Sequence, residues 1–241
     1  MSVLVLEKAL SLIFPETCQF CREQVAAFRD GYVCAQCWQR LRFVRHPFCD
    51  RCGLPYDGDI VSTFRCSNCE GQPLDFNAAR AAVVANEFSL GLIHRYKYSG
   101  WLWLEKVLAD LLWDQLGTLG VRSGWDLVVP VPLHRTKQRE REFNQAERMG
   151  AIMADRMGVP FDRRVLKRVA PTDSQTMLSR SQRRKNVGRA FGVGYQRDLR
   201  GARVMLVDDV LTTGATTSAC SRVLRRLGAV EIMVATVVRG L

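Results

Sequence analysis

The chain has 241 residues, 47% of them hydrophobic, which is room for one ordinary domain and a small second one. Its formal net charge is +11, from 35 Lys and Arg against 24 Asp and Glu. No apolar run approaches the roughly 20 residues that span a bilayer as a helix, so no membrane span is expected and the cytoplasm is the expected location.

The charge is unevenly spread. Residues 1–73 carry eight basic and eight acidic side chains, whereas residues 74–241 carry 27 and 16. A basic second half favours polyanions: a pyrophosphate ligand, a nucleic acid, or both.

Residues 1–16 lack the basic start of a signal peptide and carry Glu7 and Lys8 within the apolar stretch, so a short amphipathic helix is expected there. Residues 17–73 hold four Cys-x-x-Cys pairs, Cys18/Cys21, Cys34/Cys37, Cys49/Cys52 and Cys66/Cys69. A two-residue gap lets both thiolates of a turn face one tetrahedral ion, and two such turns complete a Cys₄ site. Eight thiolates suit two structural zinc ions in a double zinc ribbon, with metal ligation supplying much of the folding free energy. A disulfide framework and an iron–sulfur cluster are the alternatives. Sequential pairing is preferred to a crossed one, and all four ligands of each ion are used, so the role is structural or docking. His46 and His94 lack partners at ligand spacing, and Cys220 reads as core.

Gly71-Gln72-Pro73 marks a boundary, and residues 74–241 alternate strand and helix patterns. Strands are expected within Asp75–Ala85, Asp126–Pro132, Val165–Val169, Val204–Val207 and Val230–Val238. Helices are expected over Phe88–Tyr98, over Trp101–Leu119 with its tryptophans in the core, and from Gln145 to about Gly158. That alternation implies a doubly wound parallel sheet. After Pro132 a loop to Glu142 carries Arg135, Lys137, Arg139 and Arg141; Arg135 and Arg139 are candidates for a pyrophosphate, and a solvated loop with Glu140 and Glu142 is the alternative. Residues 163–189 hold nine basic residues against one acid. The polar stretch from Ala170 to Gly188, with Arg180, Arg183, Arg184 and Lys185, reads as a lid or a DNA-binding excursion; a basic disordered linker is the alternative, against which Ala190–Val193 returns the chain to the sheet.

Residues 204–216 concentrate the chemistry. An apolar strand ends at Asp208 and Asp209; the loop Thr212-Thr213-Gly214-Ala215-Thr216 then opens a helix stopped at Gly228. A loop that opens a helix at a strand's carboxyl end offers amide N–H groups and the positive dipole end to a phosphate. Two acids beside it suit sugar hydroxyls or a nearby Mg²⁺.

This stretch closely resembles the phosphoribosyl-pyrophosphate (PRPP) signature of type I phosphoribosyltransferases. The resemblance implies that Asp208 and Asp209 hold the ribose hydroxyls and that Thr212 to Thr216 hold the 5′-phosphate, with Mg²⁺ accompanying PRPP. Four Cys-x-x-Cys pairs, Lys97-Tyr98-Ser99-Gly100, Val129-Pro130-Val131-Pro132, Arg135 with Arg139, Phe143-Asn144-Gln145, and Arg168 with Gln175, Arg183, Asn186 and Phe191 extend it to the ComF family across essentially the whole chain. One departure is Glu142, where that family usually has glycine. The family resemblance implies that Lys97 also belongs to the PRPP site. It further implies a role in natural competence and DNA uptake, with single-stranded DNA and a helicase-like protein as partners. An active phosphoribosyltransferase with an unidentified nucleobase-like acceptor is the alternative.

Overall fold

The computed structural model describes residues 17–26, 32–58, 64–67, 69–70, 74–170 and 190–241. The expected amino-terminal helix, the Gly71–Pro73 boundary, and Arg180, Arg183, Arg184 and Lys185 lie outside them. The chain divides into two compact units, residues 1–42 and 43–241.

In the first unit a turn is closed by the bridge between Thr17 and Val25, and Arg22 donates its N–H to the Cys18 carbonyl at 2.8 Å. A single helical turn, α1 (Ala35–Trp38), follows Cys34 and buries Cys37. The short strand β1 (Arg42–Phe43) crosses the division between the units.

The second unit is built on a sheet in the order β1-β2-β7-β6-β3. Its elements, in chain order, are β2 (Ala78–Val84), α2 (Glu87–Tyr98), α3 (Leu104–Thr118), β3 (Leu127–Pro130), α4 (Arg135–Arg141), α5 (Gln145–Met157), β4 (Leu166–Arg168), β5 (Phe191–Val193), β6 (Arg203–Leu211), α6 (Ala215–Arg226) and β7 (Glu231–Arg239). β2, β7, β6 and β3 are mutually parallel, with Val129 opposite Leu206 and Leu206 opposite Val234. All four therefore end at the same edge. Side chains alternate across the pleat. Leu127, Val129, Val204, Leu206, Ile232 and Val234 form one core with Cys220, Val223 and Leu224 of α6. On the opposite face Val128 and Val207 lie against Gly150 of α5, where an added Cβ would sit 3.7 Å from each. Helices thus cover both faces, the doubly wound arrangement expected. Among the described residues no helix is long and apolar enough to cross a membrane.

Local sequence explains the element ends. Asn86 caps α2 in a capping box with Ser89, each side chain accepting the other's backbone N–H at 2.8–2.9 Å. Asn144 caps α5, and Gly158 ends it in the left-handed region.

Four expectations need correction. Residues 135–141 form the helix α4 rather than a loop, because His134 caps it through the Thr136 N–H and the intervening residues are good helix formers. Ala190–Val193 does not return to the main sheet: β5 pairs antiparallel with β4 in a separate two-stranded sheet packed on the α6 side. Trp101, Trp103 and Trp113 are half-buried rather than core, since the indoles stack with each other and with Arg95 and Arg122 at the rim. β6 also continues past the acid pair to Leu211.

Glu142 holds φ +65°, the left-handed conformation that a glycine adopts without a Cβ penalty. Thermal unfolding should therefore rank the variants in one order. Glu142→Gly is expected to be as stable as the parent or more so, and Glu142→Val lower by about 1 kcal/mol. Equal stability of the glycine and valine variants would contradict the strain.

Candidate functional site

Because the four strands are parallel, residues at their carboxyl ends converge on one edge. β6 brings Asp208 and Asp209 there, and β2 leads into α2, whose last turn carries Lys97. Lys97 Nζ lies 2.6 Å from Asp209 Oδ2, with the two side chains only 17% and 11% exposed. The Asp209 N–H donates to Asp208 Oδ1 at 2.9 Å. Burial, followed by the neighbouring Asp209 charge, pushes the Asp208 carboxyl up to about 7 against the opposing pull of Lys97. Arg168, half-buried over the Phe191 ring, acts on the same carboxyl from β4.

Beyond β6, Thr212 and Thr213 are exposed, and Gly214 takes φ +75° as the amino-terminal cap of α6. Among the described residues no side chain caps this helix; Thr213 Oγ1 accepts the Ala215 N–H at 3.4 Å. Its first-turn amides and the positive dipole end are left to an outside acceptor. A Cβ on residue 214 would touch Leu74 and Phe76 at 3.4 Å, so both space and φ favour glycine.

The Val131 N–H donates to the Val207 carbonyl at 2.9 Å, which brings the segment leaving β3 beside the acid pair. Arg135 opens α4 from that segment and Arg139 lies one turn on. Both are exposed, and among the described residues neither makes an ion pair. The structure therefore gathers Lys97, Asp208, Asp209 and Thr212 to Thr216, with Arg135 and Arg139 on the adjoining helix and no direct contact between these arginines and the acids.

Sequence reading missed Arg239. The apolar run of β7 ends at this arginine, which is 4% exposed and donates to the carbonyls of Leu211 and Thr212 at 3.0 and 2.8 Å. A single cation closing an otherwise apolar strand was the available signal.

The cysteines form two clusters in sequential pairing, Cys18/Cys21/Cys34/Cys37 in the first unit and Cys49/Cys52/Cys66/Cys69 in the second. Neighbouring sulfurs stand 3.6–3.8 Å apart, close to the about 3.8 Å edge of a tetrahedron with Zn–S bonds of about 2.3 Å. Burial acts to raise the Cys18 and Cys49 thiols. Backbone N–H groups, of Cys34, Cys21 and Phe20 at the first and of Cys52, Cys66 and Arg51 at the second, outweigh it and bring them down to about 6 and about 7. Each cluster thus has a ready thiolate, and both donor sets fit zinc.

Two outcomes follow. Elemental analysis of the purified chain should return two zinc ions, one per cluster, and no iron; visible iron–sulfur absorption would contradict this. Asp208→Asn should raise stability at pH 8 by about 2 kcal/mol and leave it unchanged near pH 4. The sign follows from a folded value of about 7 above the ordinary 3.8, so the native state holds the extra proton and wild-type stability falls as pH rises between the two. Equal effects of the substitution at both pH values in chemical denaturation would contradict the assignment.

The double zinc ribbon family model matches residues 9–71, and the phosphoribosyl transferase domain model matches residues 144–241. Competence protein F of Haemophilus influenzae is 30% identical over 230 residues, which cover 90% of this chain and 94% of that protein. The DNA utilization protein YhgH of Salmonella typhi is 29% identical over 229 residues, covering 92% and 96%. An adenine phosphoribosyltransferase of Mycobacterium avium is 52% identical over 40 residues, 17% of this chain and 22% of that one. With both domains in order and a relative at 30% identity across nearly its full length, the chain belongs to the ComF family of phosphoribosyltransferase-like proteins with an amino-terminal double zinc ribbon.

Proposed function

We propose that the chain binds PRPP, accompanied by Mg²⁺, at the carboxyl edge of the sheet and supports natural competence by handling incoming single-stranded DNA. The observation that carries the ligand reading is the uncapped start of α6 at Gly214 next to the paired carboxylates of β6. Amides of residues 212–216 would donate to the oxygens of the 5′-phosphate. Asp208 and Asp209 would take the ribose hydroxyls, and Arg135 and Arg139 are free to meet the pyrophosphate. Lys97, paired with Asp209 at 2.6 Å, would turn to a phosphate oxygen when the ligand arrives. Mg²⁺ would supply charge neutralisation on the pyrophosphate.

The DNA part rests on the names of the relatives, a competence protein and a DNA utilization protein, and on the basic excess of residues 74–241. Arg180, Arg183, Arg184 and Lys185 are the cations assigned to the strand, through salt-sensitive phosphate contacts. A helicase-like partner would dock on the zinc ribbon. The stretch shared with an adenine phosphoribosyltransferase favours a second reading, in which the same site transfers phosphoribose to a nucleobase-like acceptor.

PRPP with Mg²⁺ should raise the thermal midpoint of the wild type in a saturable way. Gly214→Ala and Asp209→Asn should each weaken PRPP by about tenfold or more. Undiminished affinity in both variants would overturn the site. Replacing Arg183, Arg184 and Lys185 together by Ala should weaken single-stranded DNA binding and flatten its salt dependence. Pyrophosphate release from PRPP with one of a panel of bases, lost in Asp209→Ala, would establish the transferase reading instead.

A further inference from the structure

The second zinc cluster is part of the same compact unit as the sheet and lies against the loop that opens α6. Arg239 makes the connection. Its Nη1 donates to the carbonyls of Leu211, Thr212 and Gly240, its Nε donates to the Cys52 carbonyl at 2.9 Å, and its Nη2 lies 3.4 Å from Cys52 Sγ. One buried guanidinium therefore spans a metal-ligand cysteine and the first residues of the phosphate loop. A second route runs parallel. Leu74 packs against the Cys49/Cys52/Cys66 cluster, and its Cδ2 would lie 3.4 Å from a Cβ on Gly214. The knuckle is also keyed to β2. Gly53 leaves only 2.6 Å between a Cβ and the Ala79 carbonyl, and the Ala79 N–H donates to the Arg51 carbonyl at 2.9 Å.

We infer that Arg239 is a positioning residue through which the second zinc site, and not the first, holds the Thr212–Thr216 loop in its ligand-ready shape. A Cys₄ zinc site carries excess negative charge, which a buried guanidinium against Cys52 offsets. The same planar fork then has its remaining donors fixed on the loop carbonyls. Loss of the ion would free Cys52 and with it the anchor of the guanidinium, and the loop amides would lose their common orientation. The inference deepens the ligand site proposed above but concerns the loop before any ligand binds.

Hydrogen exchange of the full-length protein, read without ligand, tests it. Cys69→Ser, which removes a second-site ligand, should speed exchange of the amides of residues 218–220, the first bonded amides of α6 beginning with Ser218 N–H on the Gly214 carbonyl, by about tenfold. Cys21→Ser, a first-site ligand, should leave them unchanged, with elemental analysis confirming one zinc lost in each. Arg239→Met should reproduce the loop effect with both zinc ions retained, and Arg239→Lys should restore part of it, while β3 amides stay protected in all. Loop exchange that is indifferent to Cys69→Ser, or equally sensitive to Cys21→Ser, would overturn the inference. If β3 amides also exchange fast in the variants, chelation and zinc readdition to the wild type decides: exchange at 218–220 must rise and recover ahead of β3. Adding PRPP to the wild type then tests the ligand separately, since absent protection would remove PRPP while leaving the coupling in place.

Discussion

A helix amino terminus left without a side-chain cap, a three-residue turn beyond the strand that carries two adjacent carboxylates, sets the terms for this molecule. The amides opening α6 and the positive end of its dipole favour an anion, and Asp208 and Asp209 beside them disfavour an unshielded one. Lys97 at 2.6 Å from Asp209 reduces the repulsion between the acids, and burial with the Asp209 charge pushes the Asp208 carboxyl up toward neutrality. The parallel sheet makes the arrangement available, because it delivers α2, the exit of β3 and the β6–α6 turn to a single edge.

Much of this edge was legible in the sequence because it is made of consecutive residues. An apolar run, two acids, a small-residue loop around one glycine and a helical pattern lie within residues 204–227 and need no long-range information. The cysteine pairing was legible for a similar reason, since two-residue knuckles taken in order close two sites. What escaped depended on tertiary context. Whether residues 135–141 coil or wind into a helix is decided by the cap at His134, not by their charge. β5 reads as any short strand, and only the register with β4 separates it from the main sheet. The tryptophans of α3 and its approach carry a core composition, yet they lie at the rim, where an indole can stack on arginine. Arg239 could not be valued without knowing that Cys52 and Leu211 both lie within its reach.

The two zinc clusters are alike in chemistry and different in setting. The first belongs to residues 1–42, the second to the unit that carries the sheet. The second cluster shares Arg239 with the candidate ligand loop, through the carbonyls of Cys52 and Thr212. Membership of the ComF family is consistent with keeping both parts on one chain, and the family's phosphoribosyltransferase-like half alone would lack the contacts that Arg51, Cys52 and Gly53 make with β2 and β7.

Calorimetric titration of the zinc-loaded wild-type chain with PRPP, in the presence and absence of Mg²⁺, bears most directly on the central claim. The account predicts one saturable site per chain whose affinity increases with Mg²⁺. No saturable heat at millimolar PRPP in either condition would contradict it.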